Sequence, residues 1–238
     1  MESMSNVPYY MKRGETPYGT IQMQDGLLSD GLTDAFHKIH VGACVEHTAR
    51  KYEVTREEQD HFAIESYKKS AAAVKDGVLA REIVPVTIPG KRGKPAVVVS
   101  EDEEYKRVDF DKLRTLSPAF DKEAGFADAA LEPLHFCVAP AHAMPKVLNQ
   151  AGLKMEDMSM IEINEAFSAA VLCNTKHLSL DSSKVNIHGG AVSLGHPLGM
   201  SGTRIAGRLA LHLQPGQYGL AGICNGGGGA SAILIEKL

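Results

Sequence analysis

An α/β fold is predicted for the later part of this chain, on three observations. From residue 126 onward helical stretches alternate with short extended ones, single helices separate most of those extended stretches, and polar and glycine clusters fall where they end. Strands joined through single helices cross over right-handed and lie in a mostly parallel sheet covered on its faces. The elements expected in order are a helix over 139–151, a strand over 158–163, a helix over 166–178, a strand over 185–187, a helix over 202–213 and closing strands over 218–224 and 230–236. Ligands of such sheets sit at strand ends. Those ends carry Asn164 with Glu165, His188 with Gly189 and Gly190, and Cys224 before the glycine run 226–229.

Residues 1–125 have a different texture, polar and charge-rich, and are assigned to a first domain, with 126–238 the second. Residues 45–75 read as a helix: Thr55 and Glu58 fit a capping box, and Phe62, Ile64, Ala71 and Val74 supply an apolar face. Two β-branched runs, 82–89 and 96–100, are separated by GKRGKP and predict a hairpin or two extended strands.

Composition narrows the function. The 238 residues are 44% hydrophobic and 23% charged with a net charge of -4, so no global basic field favours nucleic acid or an anionic membrane. Trp is absent and aromatics are only 6%, which argues against a base-stacking platform. The four cysteines (Cys44, Cys137, Cys173, Cys224) form no C-x-x-C pair, against a disulfide framework or zinc ribbon. No apolar run reaches the roughly 20 residues of a membrane span, and the N-terminus shows neither a signal-peptide nor a transit pattern. Small-molecule chemistry is the expectation.

At the strand ends an amide (Asn164), an imidazole (His196) and a thiol (Cys224) suggest acyl or enolate handling. A neighbouring imidazole lowers a thiol from about 8.5 toward neutrality. His196 stands between Gly195 and Pro197 before a helix whose first amides suit an anion or thioester oxygen. Singly, each residue has a plainer reading: Cys224 as a small buried hydrophobe, Asn164 as a helix cap, His196 as a loop histidine. The glycine run leads into a strand and lacks phosphate-loop spacing. Cys137, Cys173 and the methionines read as packing. After the acidic stretch 101–104, Arg107 and Lys112 offer a phosphate a fork and a point charge, with a surface charge pair as the plain alternative.

Three long motifs in this order, NEAFS at 164–168, GGAVSLGHPLGMSG at 189–202 and CNGGGGA at 224–230, resemble those of thiolases. MESMSN at 1–6, HVGACVE at 40–46 and EDEEYKRVDF at 101–110 extend the resemblance over nearly the whole chain, to the acetoacetyl-CoA type. It implies a C-terminal βαβαβαββ half preceded by a partial loop domain, and interconversion of acetoacetyl-CoA plus CoA with two acetyl-CoA. His196 would activate the nucleophilic thiol and share an oxyanion hole with a water held by Asn164. Cys224 would be the acid/base cysteine, with the Gly226 amide in a second oxyanion hole. His40 lies in the loop beside the substrate, and Tyr67, Arg107, Val108, Asp109 and Lys112 match CoA-binding positions. Tyr67 and Val192 match ligands of a potassium ion. No covalently bound cofactor is implied. A homo-oligomer, a tetramer, a mitochondrial location and a place in fatty-acid and ketone-body metabolism follow from the same resemblance, with no nucleic-acid or membrane partner.

The chain also departs from that pattern. The family's nucleophilic cysteine precedes MESMSN, so the isolated chain is expected to be inactive. A second interruption falls between Gly125 and Phe126, where the family has a stretch bearing CoA contacts and potassium ligands. Loss of the packing half should expose apolar surface. Val41 stands where the acetoacetyl-specific group usually has methionine. The alternatives are a noncatalytic CoA-binding or subunit-interacting remnant, and an acyl enzyme that uses Cys224 as sole nucleophile.

Overall fold

The computed structural model describes residues 3–14, 18–91, 93–109 and 131–238. The expected domain boundary at 125/126, the interruption placed there and Lys112 lie outside the described residues. In the first part, β1 (Tyr9–Tyr10) pairs antiparallel with β2 (Gln24–Asp25), and a π-helical turn (Leu27–Gly31) follows.

The helix expected over 45–75 is two helices, α1 (Val41–Lys51) and α2 (Arg56–Lys75). Between them Glu53 takes a left-handed φ of 51° and Val54 tucks into the core. The capping box restarts the helix: Thr55 Oγ1 accepts from the Glu58 amide at 3.1 Å, and Glu58 Oε2 accepts from the Thr55 amide at 2.7 Å. Ala71, expected on the apolar face, is exposed. The buried face is Ile64, Ser66, Ser70 and Ala73, because polar partners from the later half lie against it.

A 3₁₀ turn (Leu79–Glu82) leads to the predicted hairpin, β3 (Val86–Ile88) antiparallel to β4 (Val97–Val99). Its five apolar side chains are 46–59% exposed, and Phe36 is 72% exposed.

The second part opens with a 3₁₀ segment (Pro133–Val138) and α3 (Pro140–Ala151), which ends at Gly152 in the left-handed conformation, φ 70°. There follow β5 (Met158–Ile163), α4 (Ser168–Leu178), the short α5 (Ala191–Leu194), α6 (Ser201–His212), β6 (Tyr218–Cys224) and β7 (Ala230–Glu236). The sheet order is β5-β6-β7, with β5 parallel and β7 antiparallel to β6. The α/β class holds, but the strand expected over 185–187 is reduced to a single parallel bridge between Ile161 and Val185. Asn186 turns left-handed (φ 45°), and its side chain takes over the strand's bonding. Its Oδ1 accepts from the Ile163 amide and its Nδ2 donates to the Ile163 carbonyl, both at 2.8 Å.

Both faces of this sheet are covered. Ile161, Ile163 and Leu220 pack with Met144 and Leu148 of α3 and Val171 of α4; Met160 and Ala221 pack with Ile205 and Leu209 of α6. Each buried Ile, Leu, Val or Met side chain among these contributes roughly 2 kcal/mol of burial free energy. A third cluster joins α1, the 133–138 segment and α4 through Cys44, Cys137 and Cys173, with Cys224 packed against it.

Candidate active site at the carboxyl ends of β5 and β6

The two parallel strands end together. The Asn164 amide donates to the Gly222 carbonyl at 3.0 Å, carrying the ladder one residue past β5. Along β5 the side chains of Met160 and Glu162 face α6, and Asn164 continues that row. Its Nδ2 lies 3.4 Å from His196 Nε2. On the far side of the ring, His196 Nδ1 lies 2.6 Å from Ser201 Oγ, and Ser201 Oγ donates to the Pro197 carbonyl at 3.2 Å. One assignment satisfies every donor: Nδ1 carries the proton and gives it to Ser201, while Nε2 keeps its lone pair toward the Asn164 amide. Burial lowers the proton affinity of His196 and keeps the ring neutral. The result is an imidazole with a defined basic nitrogen at the sheet end.

Cys224 stands at the same end but on the other side of the pleat. A Cβ on Gly222 would lie 2.9 Å from Met144 Sδ of α3, and Cys224, two residues on, packs on the α1 cluster. Part of the residue reaches solvent, yet burial pushes its thiol up to about 12, so it rests protonated. The other three thiols are sealed in the core: burial takes Cys44 to about 11, Cys173 to about 12 and Cys137 well above its ordinary value. Gly226 lies in the turn after β6, closed by the Asn225 amide on the Gly229 carbonyl at 2.9 Å. Its hydrogens face Val41, whose Cγ1 would be 3.8 Å from a Cβ there. His40, the N-cap of α1 with Nδ1 accepting from the Gly42 amide at 3.0 Å, is thereby brought toward that turn.

Glu165 anchors the floor. Its carboxylate accepts from Ser66 Oγ of α2 at 2.7 Å, Asn186 Nδ2 at 3.0 Å and the Val192 amide of α5 at 3.1 Å. Ser193 Oγ joins Ser66 and Ser70 at 3.0 and 2.7 Å. Gly190 is required here, because a Cβ would meet Glu165 Cδ at 2.5 Å. Gly189, at φ 76°, admits the Ser70 side chain.

The segment around Arg107 packs against α2 and α5, and Glu104 lies near enough to Tyr67 to raise its hydroxyl's proton affinity alongside burial, the larger cause. Arg107 is paired within the segment, Nη2 to Glu103 at 2.6 Å and Nη1 to Glu104 at 3.1 Å, which is the plain surface-pair reading. Val108 is half-buried and Asp109 exposed. Tyr67 and Val192 flank the α2–α5 contact, where Tyr67 offers a hydroxyl and Val192 only its main-chain carbonyl. No step below runs through a potassium ion.

The carboxyl ends of two parallel strands of an α/β fold thus carry an imidazole held between an amide and a hydroxyl, with a protonated thiol on the other side of the pleat. Residues 1–132 match the thiolase N-terminal domain and residues 119–237 the thiolase C-terminal domain. The chain belongs to the thiolase family. It is 52% identical to acetyl-CoA acetyltransferase A, mitochondrial, of Xenopus laevis and 54% identical to the mitochondrial acetyl-CoA acetyltransferase of Bos taurus. All of this chain is covered, and it spans 66% and 65% of those relatives. The 276 aligned positions exceed the 238 residues of the chain, so the relatives carry extra residues within the matched span. A solved Acat5 thiolase from Ascaris suum in complex with coenzyme A superposes with TM-score 0.90 at 43% identity, covering 100% of this chain and 70% of that one.

Sequence reasoning missed Ser201, Glu162 and Arg208. Ser201 had a signal, a hydroxyl five residues after His196 at a helix start. The buried charges had none, since their partners are distant in sequence.

Proposed function

We propose that the chain carries the acyl-handling chemistry of a thiolase acting on acetyl-CoA and acetoacetyl-CoA, in a mitochondrial setting like that of the relatives named above. The hydrogen-bonded row Asn164–His196–Ser201 is the observation that supports this reading, because it holds a neutral imidazole at the end of β5. His196 Nε2 takes the proton of an attacking thiol. The imidazolium so formed, with Asn164 beside it, then faces the oxygen on which negative charge develops. An acyl group lying across the ends of β5 and β6 would put its carbonyl toward Asn164 and its α-carbon toward Cys224. Cys224, its own proton first given up to solvent on its partly exposed side, accepts the α-proton as thiolate and returns it in the reverse direction.

The family's reaction uses two thiols, and three of the four cysteines here are sealed in the core, so the isolated chain is expected to bind and enolise acyl-CoA rather than turn it over. His40, Tyr67, Arg107, Val108, Asp109 and Lys112 are assigned to CoA. The test is calorimetric titration of CoA and acetyl-CoA into the chain and into Arg107→Ala. Saturable binding weakened severalfold in the variant supports the assignment; an unchanged affinity removes Arg107 from the site, and no binding at all removes the reading.

A further inference from the structure

Behind Asn164, on the side of β5 that faces α6, Glu162 is sealed from solvent and its Oε1 has no hydrogen-bond partner. Its Oε2 lies 3.7 Å from Arg208 Nη1. Arg208 is itself buried and already committed. Its Nε and Nη2 fork onto Glu82 at 2.9 and 3.1 Å, and Nη1 donates to the Gly189 carbonyl at 2.6 Å. One buried cation therefore faces two carboxyl groups, and Glu82 holds the bidentate geometry. A carboxylate with one oxygen unpaired is unfavourable in such a place, whereas a carboxylic acid is tolerated if its O–H finds an acceptor.

A cavity of about 10 Å³ opens here, with Glu162, Asn164 and Ser201 in its wall. That is the lower limit of room for one water, which needs two or more polar partners. The wall supplies them. Ser201 is the same hydroxyl that holds His196 Nδ1.

We infer that Glu162 is a positioning residue for the Asn164–His196 pair: its carboxylic acid donates to one water in this cavity, and that water ties Glu162 to Asn164 and Ser201. The geometry stands by itself, and only its catalytic consequence rests on the acyl-handling reading above. Surrounding charges set the direction. Burial, the largest cause, raises Glu162 to about 8; Glu165 and Glu82 act the same way, while Arg208 and Lys69 of α2 oppose. From α6, Arg204 is turned to Asp102 at 3.4 Å. His212 and His188, whose ring centroids lie 5.1 Å apart with the planes tilted by 60°, are both held toward the neutral form by burial. When Glu162 ionises it stops donating, the water must turn, and a negative charge appears behind the pair.

His196 is the reporter. In the whole chain labelled with ¹³C-histidine, its ring signal is expected to show two steps on titration, its own below 6.5 and a second near 8. Glu162→Gln should lose the second step and keep the first. A second step that persists in Glu162→Gln, or one absent from the wild type, overturns the inference. Should that variant fail to fold, isotope-edited infrared spectroscopy of the wild-type chain decides: a protonated glutamic acid band at neutral pH, lost as pH rises through about 8, is expected, and its absence at neutral pH overturns the inference. Neither readout needs CoA. A chain that shows the step but binds no acyl-CoA would sink the functional reading alone, and a chain that binds acyl-CoA without the step would sink this inference alone.

Discussion

His196 Nδ1 sits 2.6 Å from the Ser201 hydroxyl, so the residue that begins α6 also decides which ring nitrogen of the histidine is basic. Ser201→Ala removes the acceptor and leaves Nδ1–H unpaired in a half-buried place. Loss of such a bond costs about 1 kcal/mol of stability and releases the ring to exchange tautomers. Ring ¹⁵N shifts should show a single neutral tautomer, protonated at Nδ1, in the wild type and a mixture in the variant. The same single tautomer in both would mean that Ser201 does not orient the ring.

Arg208 is the cation of a buried network that joins α6 to the Leu79–Glu82 turn and to β5. Removing it while keeping both carboxyl groups strands Glu82, which is 13% exposed, beside Glu162. Breaking a buried pair in this way destabilises by about 3 kcal/mol, much of which is the penalty of the uncompensated charge. Urea unfolding of Arg208→Met should show that loss, and Arg208→Met with Glu82→Gln should recover most of it. If the double variant were as unstable as the single, packing of the arginine stem, not its charge, would be the cause.

His188 gives a pH dependence of definite sign. Burial first, then the neighbouring Arg208 and His212, lower its proton affinity to about 4 from the ordinary 6.5. The unfolded chain therefore takes up this proton before the folded chain does. Its contribution to stability is intact above 6.5, is lost as pH falls through the window down to about 4, and is gone below it. Glu162 titrates in the opposite sense, its unfavourable contribution growing as pH rises from 4.5 to about 8, and it cancels when wild type is compared with His188→Gln at each pH. The difference in unfolding free energy between the two proteins should drift in favour of the variant as pH falls through the window. A difference independent of pH would contradict the burial of a neutral His188.

Much of this was legible in the residues. Met158–Ile163, Tyr218–Cys224 and Ala230–Glu236 occur where extended stretches are expected, because a strand buried on both faces, as the first two are, needs little beyond local apolar character. The Thr55 capping box is real, and it already argued for a helix start at 55 against one continuous helix from 45. The rest depended on contacts that no local pattern contains. Asn186 replaces a strand with its own amide, which a reading of the run as extended backbone misses. Ser66 and Ser70 are buried in place of Ala71 because Glu165 and Ser193, about 100 residues away or more, present partners to them. Asn164 and His196 were identified and do meet. Cys224 was identified too and expected to face one small space with Asn164 and His196, but the packing of α3 and α6 against the sheet puts it on the other side of the pleat.

Proton exchange at the α-carbon tests the central claim most directly, because it needs the imidazole, the amide and the Cys224 thiol but no second nucleophilic cysteine. Acetyl-CoA is incubated with the chain in D₂O at a concentration shown by calorimetry to saturate it, and deuterium in the acetyl methyl group is followed by mass spectrometry. The account predicts exchange above the solvent background, lowered by roughly 10²-fold or more in Cys224→Ala, as expected when a positioned acid/base group is removed. His196→Asn should also lower it. Exchange at the solvent rate while acetyl-CoA is demonstrably bound, or exchange undiminished in Cys224→Ala, would contradict the assignment of an acyl-handling site to the ends of β5 and β6.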